Sequence, residues 1–80
     1  MHIDNLVHMA NRIGEFFQAM PDREESLDEI AQHLRKFWEP RMRRELLAHL
    51  DGADGAGLLA IVKDAVTAHR EALAPAVRLA

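Results

Sequence analysis

The 80-residue sequence has no cysteine and no tyrosine, and only one serine, one threonine and one tryptophan. Without cysteine there is no disulfide, no thiolate zinc site and no thiolate-held iron–sulfur cluster. Nucleophilic catalysis is left with Ser26 and Thr67, and Ser26 has a structural explanation given below, so no catalytic residue is assigned. A phosphate-cradling loop needs glycines running into Gly-Lys-Ser/Thr; "GADGAGLLA" supplies the glycines without the lysine or the hydroxyl. No run approaches the ~20 apolar residues of a membrane span. Asp4 comes early, with no basic stretch ahead of an apolar one, which predicts no secretory signal. Together these absences predict a soluble, cytoplasmic chain with poor support for nucleophilic catalysis.

Eighty residues predict one domain, spanning 1–80. A single core of this size rarely supplies more than about 3–5 kcal/mol without a disulfide or metal staple. Close helix packing or association with a partner is the remaining source of stability.

What the sequence does contain is helical periodicity. Ile3, Leu6, Val7, Ala10, Ile13, Phe17 and Met20 recur at helical spacing and cover an arc of roughly 140°. Met9 and Phe16 widen that arc to about half the circumference, more than one core requires. Gly14 lies inside it, where glycine costs up to about 1 kcal/mol relative to alanine; close approach of another helix would compensate. Ser26 with Glu29 three residues on has the form of a capping box, which predicts a second helix starting at Leu27. Leu27, Ile30, Ala31, Leu34, Phe37 and Trp38 then share its apolar face, and this helix needs a neighbour.

Pro40 disfavours helical geometry at Glu39 and suits the first turn of a new helix, so Trp38-Glu39-Pro40 reads as a corner. Met42, Leu46 and Leu50 mark the inner face of a third helix, with Leu47 and Arg43 at its edge. Residues 51–57, "DGADGAG", read as a flexible connector. Leu58, Leu59, Ile61, Val62, Ala65, Val66 and Leu73 form one side of a fourth helix ended by Pro75. The expectation is an all-α protein, a small four-helix bundle with a helix-turn-helix-like corner. Its helices fall at about 3–20, 27–38, 40–50 and 57–73, with a loose tail at 74–80.

Charge is unevenly spread. Ten basic and thirteen acidic side chains give a net −3. Residues 33–44 nevertheless hold Arg35, Lys36, Arg41, Arg43 and Arg44 against the single acid Glu39, a local +4 that leaves −7 elsewhere. Three readings of this basic corner stay open. It is a solvated cluster whose Arg35 and Arg43 stems cover apolar surface around a buried Trp38. It is a nucleic-acid surface, given the helix-turn-helix form, although the third helix offers only arginine among the usual base-reading side chains. Or it docks a protein partner, since tryptophan and arginine are enriched at interface hot spots.

The five histidines, His2, His8, His33, His49 and His69, include no i, i+4 pair that would set two metal ligands on one helix face. No metal site is assigned. His69 falls on the apolar face of the fourth helix and reads as a core histidine with a backbone partner.

Two blocks, "ANRIGEFF" at residues 10–17 and "IAQHLRKFWEPRMR" at residues 30–43, resemble a known family. It is the delta subunit of the soluble, NAD-dependent, molybdenum-containing formate dehydrogenases. The matching positions are Ala10, Asn11, Ile13, Phe16 and Phe17, then His33, Leu34, Lys36, Phe37, Trp38, Pro40, Arg41 and Met42. Glu39 stands where the family often has aspartate. The resemblance implies a non-catalytic accessory subunit that binds the molybdenum catalytic (alpha) subunit and supports assembly or cofactor loading. It implies a parent complex holding bis-molybdopterin guanine dinucleotide, iron–sulfur clusters, FMN and NAD, none of them bound by this chain. On this reading Lys36, Trp38, Arg41 and Arg44 are the docking residues. The alternative is a small helix-turn-helix DNA-binding regulator, and nucleic acid is the less favoured partner. Whether the isolated chain forms a homo-oligomer is open.

Overall fold

A computed structural model describes residues 2–75. They form five helices and, among the described residues, no strand: α1 (Ile3–Phe17), α2 (Arg23–Phe37), α3 (Pro40–Ala53), α4 (Ala60–Ala68) and α5 (Arg70–Leu73). Residues 76–80, most of the predicted tail, lie outside the described residues.

α2 packs on α1, α4 and α5, and α3 packs on α1 and α5. α4 contributes Ile61, Val62, Ala65 and Val66, all buried, and rests on both α1 and α2, which also pack on each other. Leu6 and Ala10 from α1, Ile30 and Leu34 from α2, Leu46 and Leu47 from α3, and Leu73 from α5 complete one continuous core with Trp38. The expected close approach at Gly14 is present. A methyl group there would lie 2.5 Å from Val62 Cγ2 and 3.3 Å from Ile61 Cγ2. The glycine therefore sets how near α1 and α4 come, and its propensity cost is offset by that contact.

The start of α2 differs from expectation. It begins at Arg23, with Asp22 as its cap: Asp22 Oδ1 accepts from the Glu24 and Glu25 N–H groups at 2.9 and 3.4 Å. Ser26 is inside the helix and 1% exposed. Its hydroxyl lies 2.9 Å from the Phe17 carbonyl and 3.1 Å from the Asp22 carbonyl, sharing one proton between them. It thus adds a second donor to the Phe17 carbonyl at the end of α1, which also accepts from the Met20 N–H at 3.1 Å, and this tertiary bond outweighs the local capping pattern.

The second half departs in three further places. α3 runs on to Ala53, and Asp54 reverses the chain with φ 53°. The connector is held rather than free: His49 Nε2 donates to the Ala56 carbonyl at 2.7 Å. Asn11 of α1 donates from Nδ2 to the Gly57 carbonyl and accepts at Oδ1 from the Leu59 N–H, both at 2.9 Å. Leu58 and Leu59 belong to this connector, and α4 starts at Ala60. Finally, the predicted fourth helix is broken at His69, which ends α4 and precedes α5. His69 is half-exposed, with Nε2 3.1 Å from Asp28 Oδ1, so it is an edge residue facing a carboxylate and not a core histidine. Arg70 pairs through both guanidinium nitrogens with Asp51, tying α5 to the end of α3; that hydrogen bond and then the charge of Asp51 raise the Arg70 pKa above its ordinary value.

Candidate docking surface

The corner between α2 and α3 is built from two extended residues. Trp38 (φ −90°, ψ 134°) closes α2 with its N–H on the Leu34 carbonyl, Glu39 (φ −64°, ψ 153°) follows, and Pro40 opens α3. Because Trp38 leaves helical geometry, its indole turns into the core, where it is 5% exposed in one cluster with Leu34 and Leu46 and with Met42 against it. The docking role expected of Trp38 therefore cannot rest on a protruding ring. The indole supports the surface from beneath.

The five cations divide into two groups. Arg35 Nη1 donates to the Ala72 carbonyl at 3.0 Å and Arg43 Nη1 to the Leu73 carbonyl at 3.2 Å. These are carbonyls at the C-terminal end of α5, where cationic donors are favourable. Arg43 is half-buried and its Nε has no partner among the described residues. These two arginines are committed to the fold. Lys36, Arg41 and Arg44 are exposed and form no ion pair or hydrogen bond among the described residues, as does Arg12 on α1. The basic footprint available to a partner is accordingly smaller than the sequence count of five.

Beside the corner lies an apolar groove between α1 and α2. Two adjoining lobes of about 480 and 380 Å³ share Arg12, Ile13 and His33. Met9, Trp38 and Met42 line one lobe; Phe16 and Phe17 line the other. Phe16 and Phe37 are 75% and 70% exposed. They are not isolated: Phe16 meets Phe17 edge-on at 4.9 Å, Phe17 lies 6.3 Å from His33, and His33 lies 4.8 Å from Phe37. Single exposed apolar residues are ordinary, whereas a contiguous row marks an interaction surface.

Phe37 corrects the sequence reading, which placed it in the core beside Leu34. It shares a helical column with Ile30 and His33, but at the last turn of α2 it is left largely exposed. The excess width of the α1 arc at Met9 and Phe16 was the one sequence signal for this groove. Among the described residues no three His, Asp or Glu side chains converge on a point able to hold a metal ion, and no helix is long and apolar enough to cross a membrane.

A model of the NADH-dependent formate dehydrogenase delta subunit FdsD family matches residues 5–66. This chain belongs to that family. The match spans most of α1, all of α2 and α3, the connector and most of α4, so every residue of the corner and the groove lies within the delta-subunit region. No curated protein and no solved structure is detectably similar to the chain. Membership makes the chain a subunit of a formate dehydrogenase complex and hence one that associates with other subunits. An interaction surface is what such a subunit requires.

Proposed function

We propose that this delta subunit is a non-catalytic accessory chain that binds the molybdenum-containing catalytic subunit and supports assembly of the complex or loading of its cofactor in the cytoplasm. The redox groups expected of the parent enzyme, namely bis-molybdopterin guanine dinucleotide, iron–sulfur clusters, FMN and NAD, belong to other subunits on this reading. The absence of cysteine here leaves no thiolate for a cluster. The observation that carries the reading is the set of exposed cations at the corner, Lys36, Arg41 and Arg44, which have no partner among the described residues, in a chain that belongs to the delta family. Exposed charge without an internal partner contributes little to stability, typically within about 0.5 kcal/mol. It steers encounter with an acidic surface and fixes register there.

The test combines Arg41→Glu with Arg44→Glu. Reversal replaces attraction with repulsion, and loss of hot-spot contacts exceeds about 2 kcal/mol, more than tenfold in affinity. Thermal melting of the isolated chain should be unchanged while capture by the catalytic subunit weakens, most at low salt. Molybdenum content of the complex, measured with and without this chain, distinguishes cofactor loading from assembly alone. Unchanged capture with unchanged melting would make the cluster a solvated face. Salt-sensitive DNA binding that the double variant abolishes, with catalytic-subunit capture intact, would favour a regulator.

A further inference from the structure

We infer that the groove between α1 and α2 seats an apolar segment of another subunit of the formate dehydrogenase complex, and that this segment carries at least one carboxylate. The inference rests on the accessory-subunit reading and adds the chemistry of what is bound.

The apolar part follows from the aromatic row. Phe16 and Phe37 stand largely in solvent at either end of it, joined through Phe17 and His33. The floor between them is Met9, Ile13 and Met42, residues only partly covered by this chain. Methionine adapts its shape to an inserted side chain, and exposed aromatic rings supply large contact area at small entropy cost. A groove of this kind takes aliphatic or aromatic anchors from a partner helix or strand.

The carboxylate follows from the charge around it. Among the described residues, the titratable side chains lining the groove are Arg12, His8 and His33, and no acidic side chain lines either lobe. Arg12 is exposed and has no ion-pair partner among the described residues. Lys36, next to Phe37 in sequence, is equally unpartnered. The guanidinium of Arg12, between the two lobes, suits a carboxylate in a bidentate geometry.

The same charge argues against a second copy as occupant. In a two-fold contact through this groove the same lining supplies both sides, and among the described residues that lining offers Arg12, His8 and His33 with no carboxylate to meet them. The acids of this chain cluster instead at residues 22–29, toward the opposite end of α2.

The experiment uses the full chain and the formate dehydrogenase complex lacking it. Phe37→Glu and Arg12→Glu are each expected to weaken capture at least about tenfold. Phe37→Leu should keep near-wild-type capture, and Arg12→Gln should flatten its salt dependence. Circular dichroism melts establish that each exposed substitution leaves the fold intact. Hydrogen exchange on the wild-type chain, independent of any variant, should show protection on binding in peptides covering residues 8–17 and 33–42. If the wild type is captured while Phe37→Glu and Arg12→Glu bind equally well, or if those peptides stay unprotected, this inference fails and the accessory-subunit reading stands. If the wild type is not captured at all, both fail. Sedimentation showing a dimer of the free chain that Phe37→Glu dissociates, with capture unaffected, would assign the groove to a second copy and overturn the inference.

Discussion

Gly14→Ala puts two known terms in opposition. In an exposed helix alanine would stabilise by up to about 1 kcal/mol over glycine. Here the added methyl lies 2.5 Å from Val62 Cγ2 and 3.3 Å from Ile61 Cγ2, well inside the ~3.5–4.0 Å of favourable carbon contact. Val62 cannot swing aside: it is 0% exposed and β-branched within a helix, where one side-chain rotamer dominates. The clash must be relieved by moving α1 off α4, and overpacking of this kind costs about 1–3 kcal/mol. The net expectation is destabilisation of about 1–2 kcal/mol, a fall in Tm of roughly 5–15 °C for a chain of this size.

Thermal and urea unfolding followed at 222 nm provide the measurement, and a second substitution isolates the cause. Val62→Ala removes the offending methyl at the expense of a cavity. In that background Gly14→Ala should become neutral or stabilising, so the double-mutant cycle should show a coupling of at least about 1 kcal/mol. A Gly14→Ala chain that melts at or above the wild type in both backgrounds would refute the close-approach account. The groove gives the result a functional side, because displacing α1 also shifts Met9, Ile13 and Arg12 relative to α2.

Ser26→Ala should cost about 0.5–1.5 kcal/mol by removing the hydroxyl bond to the Phe17 and Asp22 carbonyls, each of which keeps a backbone donor. Ser26→Asp should be far worse, because a buried carboxylate would face two carbonyls, whereas a helix cap would accept aspartate readily; near-wild-type melting of Ser26→Asp would restore Ser26 as the cap. Arg43→Ala should lower stability by about 1–3 kcal/mol through its lost bond to Leu73 and its packed stem, in contrast to Arg41→Ala at no more than about 0.5 kcal/mol; equal melting temperatures would show that the inward and outward cations are not distinct.

The helices were legible where the signal is local. Apolar spacing and prolines at 21 and 40 fixed the existence of α1, α2 and α3, and Gly14 announced the contact it makes. The misreadings cluster where a distant group decides. Ser26 fits a capping pattern, and only the Phe17 carbonyl, brought back by the turn, makes it an interior residue. Asp22, which caps the helix in the structure, was passed over in favour of Ser26. Phe37 and Trp38 were projected onto one helical face, but Trp38 has already left the helix, so it turns inward while Phe37 turns out. Arg35 and Arg43 find their partners 37 and 30 residues away, a distance no local pattern encodes. The candidate surface was thus half visible. Its free cations and the surplus apolar width of α1 could be read, but not the exposure of Phe37 or the loss of two arginines to the fold.

That division of the arginines bears on how a small chain holds a surface for another protein. Arg35 and Arg43 bind the carbonyls that end α5, and α5 places Leu73 in the core. The inward pair therefore helps fix the corner from which Lys36, Arg41 and Arg44 project. Trp38, buried beneath it, stiffens the same point and forms a wall of the groove. Fold and surface are coupled through these contacts, so replacing all five cations together would not separate docking from stability, whereas replacing the outward ones would. The coupling also runs the other way. A partner present at a hundred times its Kd stabilises the bound fold by about 2.7 kcal/mol, comparable with the roughly 3–5 kcal/mol that a core of this size supplies. On the proposed function, the exposed aromatic row is then less a defect of the isolated chain than apolar surface whose burial is deferred to the complex.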